Sequence, residues 1–129
     1  MSENFAVEII SPNQSVLRTE TEEVTLPSFE GEMGILRDHI SLITFLRPGI
    51  ITIRKNSEKT KFFVEEGTVE FSNNNLLILT STAKNLNELK KKDIDDLIKN
   101  SKEKIDQKNT SDKEKYLLSH KIDVLKNLN

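Results

Sequence analysis

Apolar and polar residues alternate with a period of two in several stretches of the first 85 positions. Phe5, Val7 and Ile9 alternate with Ala6, Glu8 and Ile10, Val24 and Leu26 flank Thr25, and Ile51 and Ile53 flank Thr52. Val69 and Phe71 alternate with Thr68 and Glu70, and residues 76–79 form a short continuous apolar run. A period of two sends successive side chains to opposite faces of an extended chain, so these stretches predict strands. Turn residues divide them at Ser11-Pro12-Asn13, Lys55-Asn56-Ser57 and Ser72-Asn73-Asn74-Asn75. Short strands at such spacing predict an antiparallel β-sandwich, with two sheets packed over the inward residues.

The period changes after Asn85. Leu86, Leu89, Ile94, Leu97, Ile98 and Ile105 fall on roughly half of a helix circumference. Asn85 with Glu88 three residues later predicts the opening of that helix. Residues 107–110 interrupt the pattern, and Ser111-Asp112-Lys113-Glu114 has the form of a capping box that starts a second helix. That helix carries Leu117, Leu118, Ile122, Val124, Leu125 and Leu128. The expected fold is therefore α+β: an N-terminal antiparallel β-sandwich over 1–85, followed by a C-terminal α-helical hairpin over 86–129.

Composition sharpens the boundary. All four glycines, all three prolines and all six phenylalanines precede Asn85. The first 85 residues hold 8 basic against 12 acidic side chains and the rest hold 11 against 9, giving about −4 and +2. A net charge of −2 leaves no electrostatic footprint for nucleic acid. The absence of cysteine excludes disulfides, thiolate metal sites and thiol catalysis. Met1-Ser2-Glu3-Asn4 reads as leading straight into a strand, without a signal-peptide pattern. No apolar run approaches the ~18 residues that span a bilayer.

The most distinctive stretch is EGEMGILRDH at 30–39, followed by Arg47-Pro48-Gly49. Its glycines, Gly31 and Gly34, predict a tight exposed loop presenting Glu30, Glu32 and His39. Two carboxylates so close could suggest acid–base catalysis, but no nucleophile, second nearby histidine or phosphate-cradling loop accompanies them. His39 and His120 are far apart in sequence, so no metal site is expected.

Read in order, these segments make the chain resemble the epsilon subunit family of bacterial F-type ATP synthases, whose mitochondrial counterpart is called delta. The opening strand ending in Ser11-Pro12, the Val24-Thr25-Leu26-Pro27 segment, the EGEMGIL motif, His39, Leu46-Arg47-Pro48-Gly49, Gly67-Thr68-Val69-Glu70-Phe71 and Thr82-Ala83 all stand in the family's register. The resemblance implies a non-catalytic central-stalk subunit that couples gamma rotation to the c-ring and modulates ATP hydrolysis through its C-terminal helices. It implies that Glu30, Gly31, Glu32, Gly34 and His39 contact gamma and the c-ring. It also implies that a basic helical face, Lys90, Lys91, Lys92, Lys99 and Lys102, meets the alpha and beta subunits transiently. The expected location is peripheral, at the cytoplasmic face of the bacterial plasma membrane, with no cofactor. Alternating charges on a helix are also what a merely solvated face looks like.

The chain departs from the family in three places. Arg37-Asp38 stands where Pro-Gly is common before the histidine, and Glu66-Gly67 where a double glycine is common. After Thr82-Ala83, Leu89-Lys90-Lys91-Lys92-Asp93-Ile94 lacks the aspartate, arginine and alanine of the family's ATP-binding segment. Nucleotide binding is therefore not expected. The alternative reading is a free-standing β-sandwich that binds a small ligand or peptide.

Overall fold

A computed structural model describes residues 3–128, so the reading of Met1 and Ser2 lies outside the described range. The chain divides into two compact units after Leu86. The first contains strands β1 (Phe5–Ser11), β2 (Gln14–Thr21), β3 (Glu23–Ser28), β4 (Gly31–Leu36), β5 (Leu42–Leu46), β6 (Gly49–Lys55), β7 (Glu58–Val64), β8 (Gly67–Ser72), β9 (Asn75–Leu79) and β10 (Lys84–Asn85). Their hydrogen-bonded order is β10-β7-β6-β3-β5-β8-β9-β1-β2, with β4 on β3. Neighbours run antiparallel except β1 and β9, which are parallel, with Val7 opposite Leu76 and Ile9 opposite Ile78.

The inward set is the one that the period of two selects. Phe5, Val7, Ile9, Val24, Leu26, Ile51, Ile53, Val69, Phe71, Leu76 and Ile78 share one buried cluster. Phe5 meets Phe71 edge-on, ring centroids 5.6 Å apart. Two-residue turns close the β6–β7 and β8–β9 hairpins. Asn56, Asn73 and Asn74 take φ of 57°, 50° and 57° there, the left-handed region that asparagine tolerates. Thr21, fully buried where β2 hands over to β3, donates its hydroxyl to the Arg54 carbonyl at 2.6 Å. Gly49 is required by space: a Cβ there would stand 2.4 Å from Pro27 Cβ.

The second unit holds α1 (Lys91–Ile105) and α2 (Asp112–Lys126). Ser111 caps α2 as expected, its hydroxyl accepting the Glu114 N–H at 3.1 Å. The start of α1 is displaced from the sequence reading. Lys84 and Asn85 pair with Phe63 and Phe62 of β7 as a tenth strand. Residues Leu86–Glu88 form one 3₁₀ turn, and α1 begins only after Lys90. Asp93, not Glu88, supplies the local acceptor, taking the Lys90 backbone N–H at 3.0 Å. Pairing with a sheet edge outcompeted a helix cap at Asn85. Of the expected apolar helical positions, Ile94, Ile122 and Leu125 are buried and the others half-buried.

Candidate interaction surface

The glycine-rich stretch is a strand, which corrects the loop expected from Gly31 and Gly34. Gly31 opens β4 with φ of 124°, a conformation suited to glycine, and Ser28 Oγ donates to its carbonyl at 2.7 Å to close the β3–β4 turn. From there Met33 and Ile35 point to the core while Glu32, Gly34 and Leu36 point outward. Gly34 lies opposite Thr25, and a Cβ on it would meet nothing within 4 Å. Glu30 sits exposed in the β3–β4 turn, and His39 lies beyond the other end of β4. Six residues of strand span roughly 20 Å, so the two carboxylates and the histidine form two separate stations.

His39 is half-buried, its ring edge-on to Phe71 with centroids 6.0 Å apart. Its Nδ1 donates to the Ile40 carbonyl at 2.7 Å, which leaves Nε2 as the other polar atom of the ring. The segment that carries it is held by a reciprocal pair. The Asp38 N–H donates to Asn74 Oδ1 at 2.7 Å, and Asn74 Nδ2 donates back to Asp38 Oδ1 at 2.9 Å. Asn74 also accepts the Ala6 N–H on its own carbonyl at 3.0 Å, and the Arg37 guanidinium donates to the Asn4 carbonyl at 2.7 Å. Asp38 has φ of 66°, where a glycine would sit without strain. These side-chain bonds hold the left-handed turn in the absence of the family's Pro-Gly.

The register of the sheet brings together residues that the sequence reading did not single out. On the outward side, Ile43 of β5 faces Glu70 of β8, which faces Leu77 of β9, which faces Glu8 of β1. The next row is Phe45, Thr68, Leu79 and Ile10. Ile43, Phe45 and Leu79 are 70%, 57% and 45% exposed, and Ile40 just before β5 is 79% exposed. Large apolar side chains grouped on one sheet face mark an interaction surface. The signal was present in the sequence: Leu42–Leu46 is apolar at four of its five positions, so both faces of β5 are apolar. Two open depressions flank this face. One of about 450 Å³ is lined by Ile10, Glu66, Leu79 and Ser81, and one of about 390 Å³ by Ser41, Ile43, Glu70 and Ser72.

Lys90, Lys91, Lys92, Lys99 and Lys102 are all exposed, whereas Lys121 of α2 is buried. At ~3.6 residues per turn, Lys91, Lys92, Lys99 and Lys102 fall within about 100° of arc, together with Asp95 and Asp106. Lys90, Lys91 and Lys92 stand at the N-terminus of α1, the end where the helix dipole disfavours cations. Asp93, in the same first turn, offsets part of that repulsion. Among the described residues no group of three His, Asp or Glu side chains is arranged to hold a metal ion.

Comparison with known proteins fits this geometry. Residues 4–86 match the family model described as the ATP synthase delta/epsilon chain β-sandwich domain. An ATP synthase epsilon chain of Pelagibacter ubique is 49% identical over 130 aligned positions, covering all of both chains. An ATP synthase epsilon chain of Prochlorococcus marinus is 31% identical over 78% of this chain and 75% of its own length. Among solved structures, a chain of the Euglena gracilis mitochondrial ATP synthase (OSCP/F1/c-ring) has a TM-score of 0.77 at 17% identity, covering 99% of this chain and 81% of that one. A chain of the Tetrahymena thermophila mitochondrial ATP synthase central stalk and c-ring has a TM-score of 0.67 at 14% identity, covering 95% and 93%. At such identities the structural likeness establishes a common fold. On the family match and the full-length relative, the chain belongs to the delta/epsilon family of ATP synthase subunits, a non-catalytic family.

Proposed function

We propose that this chain ties the gamma subunit to the c-ring in the central stalk of a proton-translocating ATP synthase, using the outward face of β5, β8 and β9. The observation that carries the reading is the exposure of Ile40, Ile43, Phe45 and Leu79 beside a core that is already filled. Fully covering one such side chain contributes about 1.5–3 kcal/mol before the costs of association. Solved neighbours that share the fold come from ATP synthase assemblies that include a c-ring, which supports the reading. The work required is mechanical: torque passes through a body that must not yield. A continuous hydrogen-bonded sheet packed around one core supplies that stiffness.

The two stations of β4 divide the contacts. Glu30 and Glu32 can take charge-assisted hydrogen bonds from polar or basic loop groups of the c-ring. His39, with Ile40 beside it, faces gamma. Gly34 leaves room for a close approach by a partner, since its own chain does not need the space. The lysine face of α1 modulates hydrolysis by meeting acidic segments of the alpha and beta subunits. No helix among the described residues is long and apolar enough to cross a membrane. Attachment at the cytoplasmic face of the bacterial plasma membrane would then run through the complex.

The test uses vesicles bearing the ATP synthase depleted of this chain. Wild-type chain, Phe45→Asp, or a chain ending at residue 86 is added back, and ATP-driven proton pumping and ATPase rate are recorded. Wild-type and truncated chains should restore pumping, and Phe45→Asp should not. Truncation should alter hydrolysis only modestly. Pumping restored by Phe45→Asp, or lost on truncation, would reverse the assignment.

A further inference from the structure

Glu70 stands in the middle of the exposed apolar face, and nothing among the described residues pairs with its carboxylate. The other carboxylates around that face are engaged locally. Glu8 accepts the Ser15 hydroxyl at 3.2 Å and Glu66 accepts the Ser81 hydroxyl at 3.0 Å. Glu70 lies between Ile43 and Leu77 in one cross-strand row. Directly opposed positions have Cβ atoms only about 5 Å apart. A subunit that covers both apolar neighbours therefore covers Glu70 as well.

Removing a carboxylate from water without a counter-charge costs more than the burial of its neighbours returns. The partner must then supply a cation at that point. The open depression beside Glu70, lined also by Ser41, Ile43 and Ser72, has room for one long side chain. We infer that this depression receives an arginine side chain of the docking subunit, its guanidinium paired with Glu70. Arginine suits the place better than lysine. Its planar fork donates two parallel bonds to one carboxylate, it gives up water more readily, and its flat face can lie on Ile43. The two serine hydroxyls can accept its remaining N–H groups. The pair fixes which row of the sheet the partner engages, a register that apolar contact alone leaves free to slide.

The inference rests on the docking reading above, and the experiment separates the two. Full-length chain is titrated onto ATP synthase complex stripped of it, with wild-type, Glu70→Gln, Glu70→Leu and Phe45→Asp compared after circular dichroism shows each folded. Both Glu70 variants should bind about tenfold or more weakly, because each leaves the buried arginine without a counter-charge. Wild-type affinity should fall more steeply with salt than that of Glu70→Gln. A purely apolar interface predicts the opposite sign for leucine, which would tighten it. Glu70→Leu binding as well as wild-type, or Glu70→Gln binding unchanged, while Phe45→Asp fails to bind, overturns the arginine pairing alone. Normal binding by Phe45→Asp overturns the docking reading, and the arginine pairing falls with it.

Discussion

The two units of the chain are held together in different ways. In the β unit, fifteen buried apolar residues from strands distant in sequence share one cluster, and many are fully inaccessible. In the helical unit, the buried apolar set is Ile94, Ile122 and Leu125, of which only Leu125 is fully buried. Each helix is only 15 residues long, a length that is marginal in water without tertiary packing. A unit with a redundant core holds its shape under load. A unit with three buried apolar side chains and the rest half-buried can exchange one packing for another at a cost of only a few kcal/mol. The first property suits a coupling body and the second a regulator.

The sharpest way to break this comparison is to separate the units. Residues 1–86, which keep the β10 pairing, should retain sheet structure and cooperative melting. A peptide of 87–129 should lose most of its helical circular dichroism, and strong helicity there would contradict the contrast. Next in size is Phe71→Ala. Truncating a buried phenylalanine that packs on both Phe5 and His39 should cost about 3–5 kcal/mol and shift chemical denaturation of the whole β unit. Asn74→Ala should cost about 1–2 kcal/mol by removing both bonds to Asp38. Its hydrogen-exchange signature should be confined to residues 37–41 and the β8–β9 turn. Ser111→Ala should cost about 1 kcal/mol through the lost α2 cap, read as fraying at that end by amide exchange. Smallest of all is Gly34→Val. It should leave the melting temperature of the isolated chain nearly unchanged, because its Cβ enters open space. Any loss in assembly would then report a partner surface directly.

The fold was legible where one face of a strand is apolar and the other polar, as in Val69 to Phe71, and where a turn carries asparagine. It was less legible elsewhere, and besides the start of α1 three strands show the physical reasons. Gln14–Thr21 is a half-exposed edge strand with mostly polar side chains, so it lacks a clear alternation. Gly31–Leu36 reads as a loop because of its glycines, yet Met33 and Ile35 alternate inward against β3. Leu42–Leu46 hides its period because Ile43 and Phe45 are as apolar as the inward Leu42 and Leu46. That concealment is itself informative. A strand apolar on both sides in a chain this small has more apolar surface than its own core can cover. Of the contact residues expected from the motif, Glu30, Glu32 and Gly34 do reach the surface, and His39 is half-withdrawn against Phe71. The outward row through Glu70 depends on cross-strand register, which no single segment reveals.

The pairing of Asp38 with Asn74 makes two positions 36 residues apart depend on one another for the same turn. A descendant that replaces Asp38 by glycine regains the easy turn but removes the acceptor of Asn74 Nδ2, keeping only the bond from the backbone N–H of residue 38 to Asn74 Oδ1. One that replaces Asn74 first leaves Asp38 in a strained conformation held only by the Arg37 bond to the Asn4 carbonyl and the His39 N–H bond to the Leu36 carbonyl. Substitution histories should therefore show the two positions changing together, and a Pro-Gly graft from another family member should succeed only when position 74 is exchanged with it.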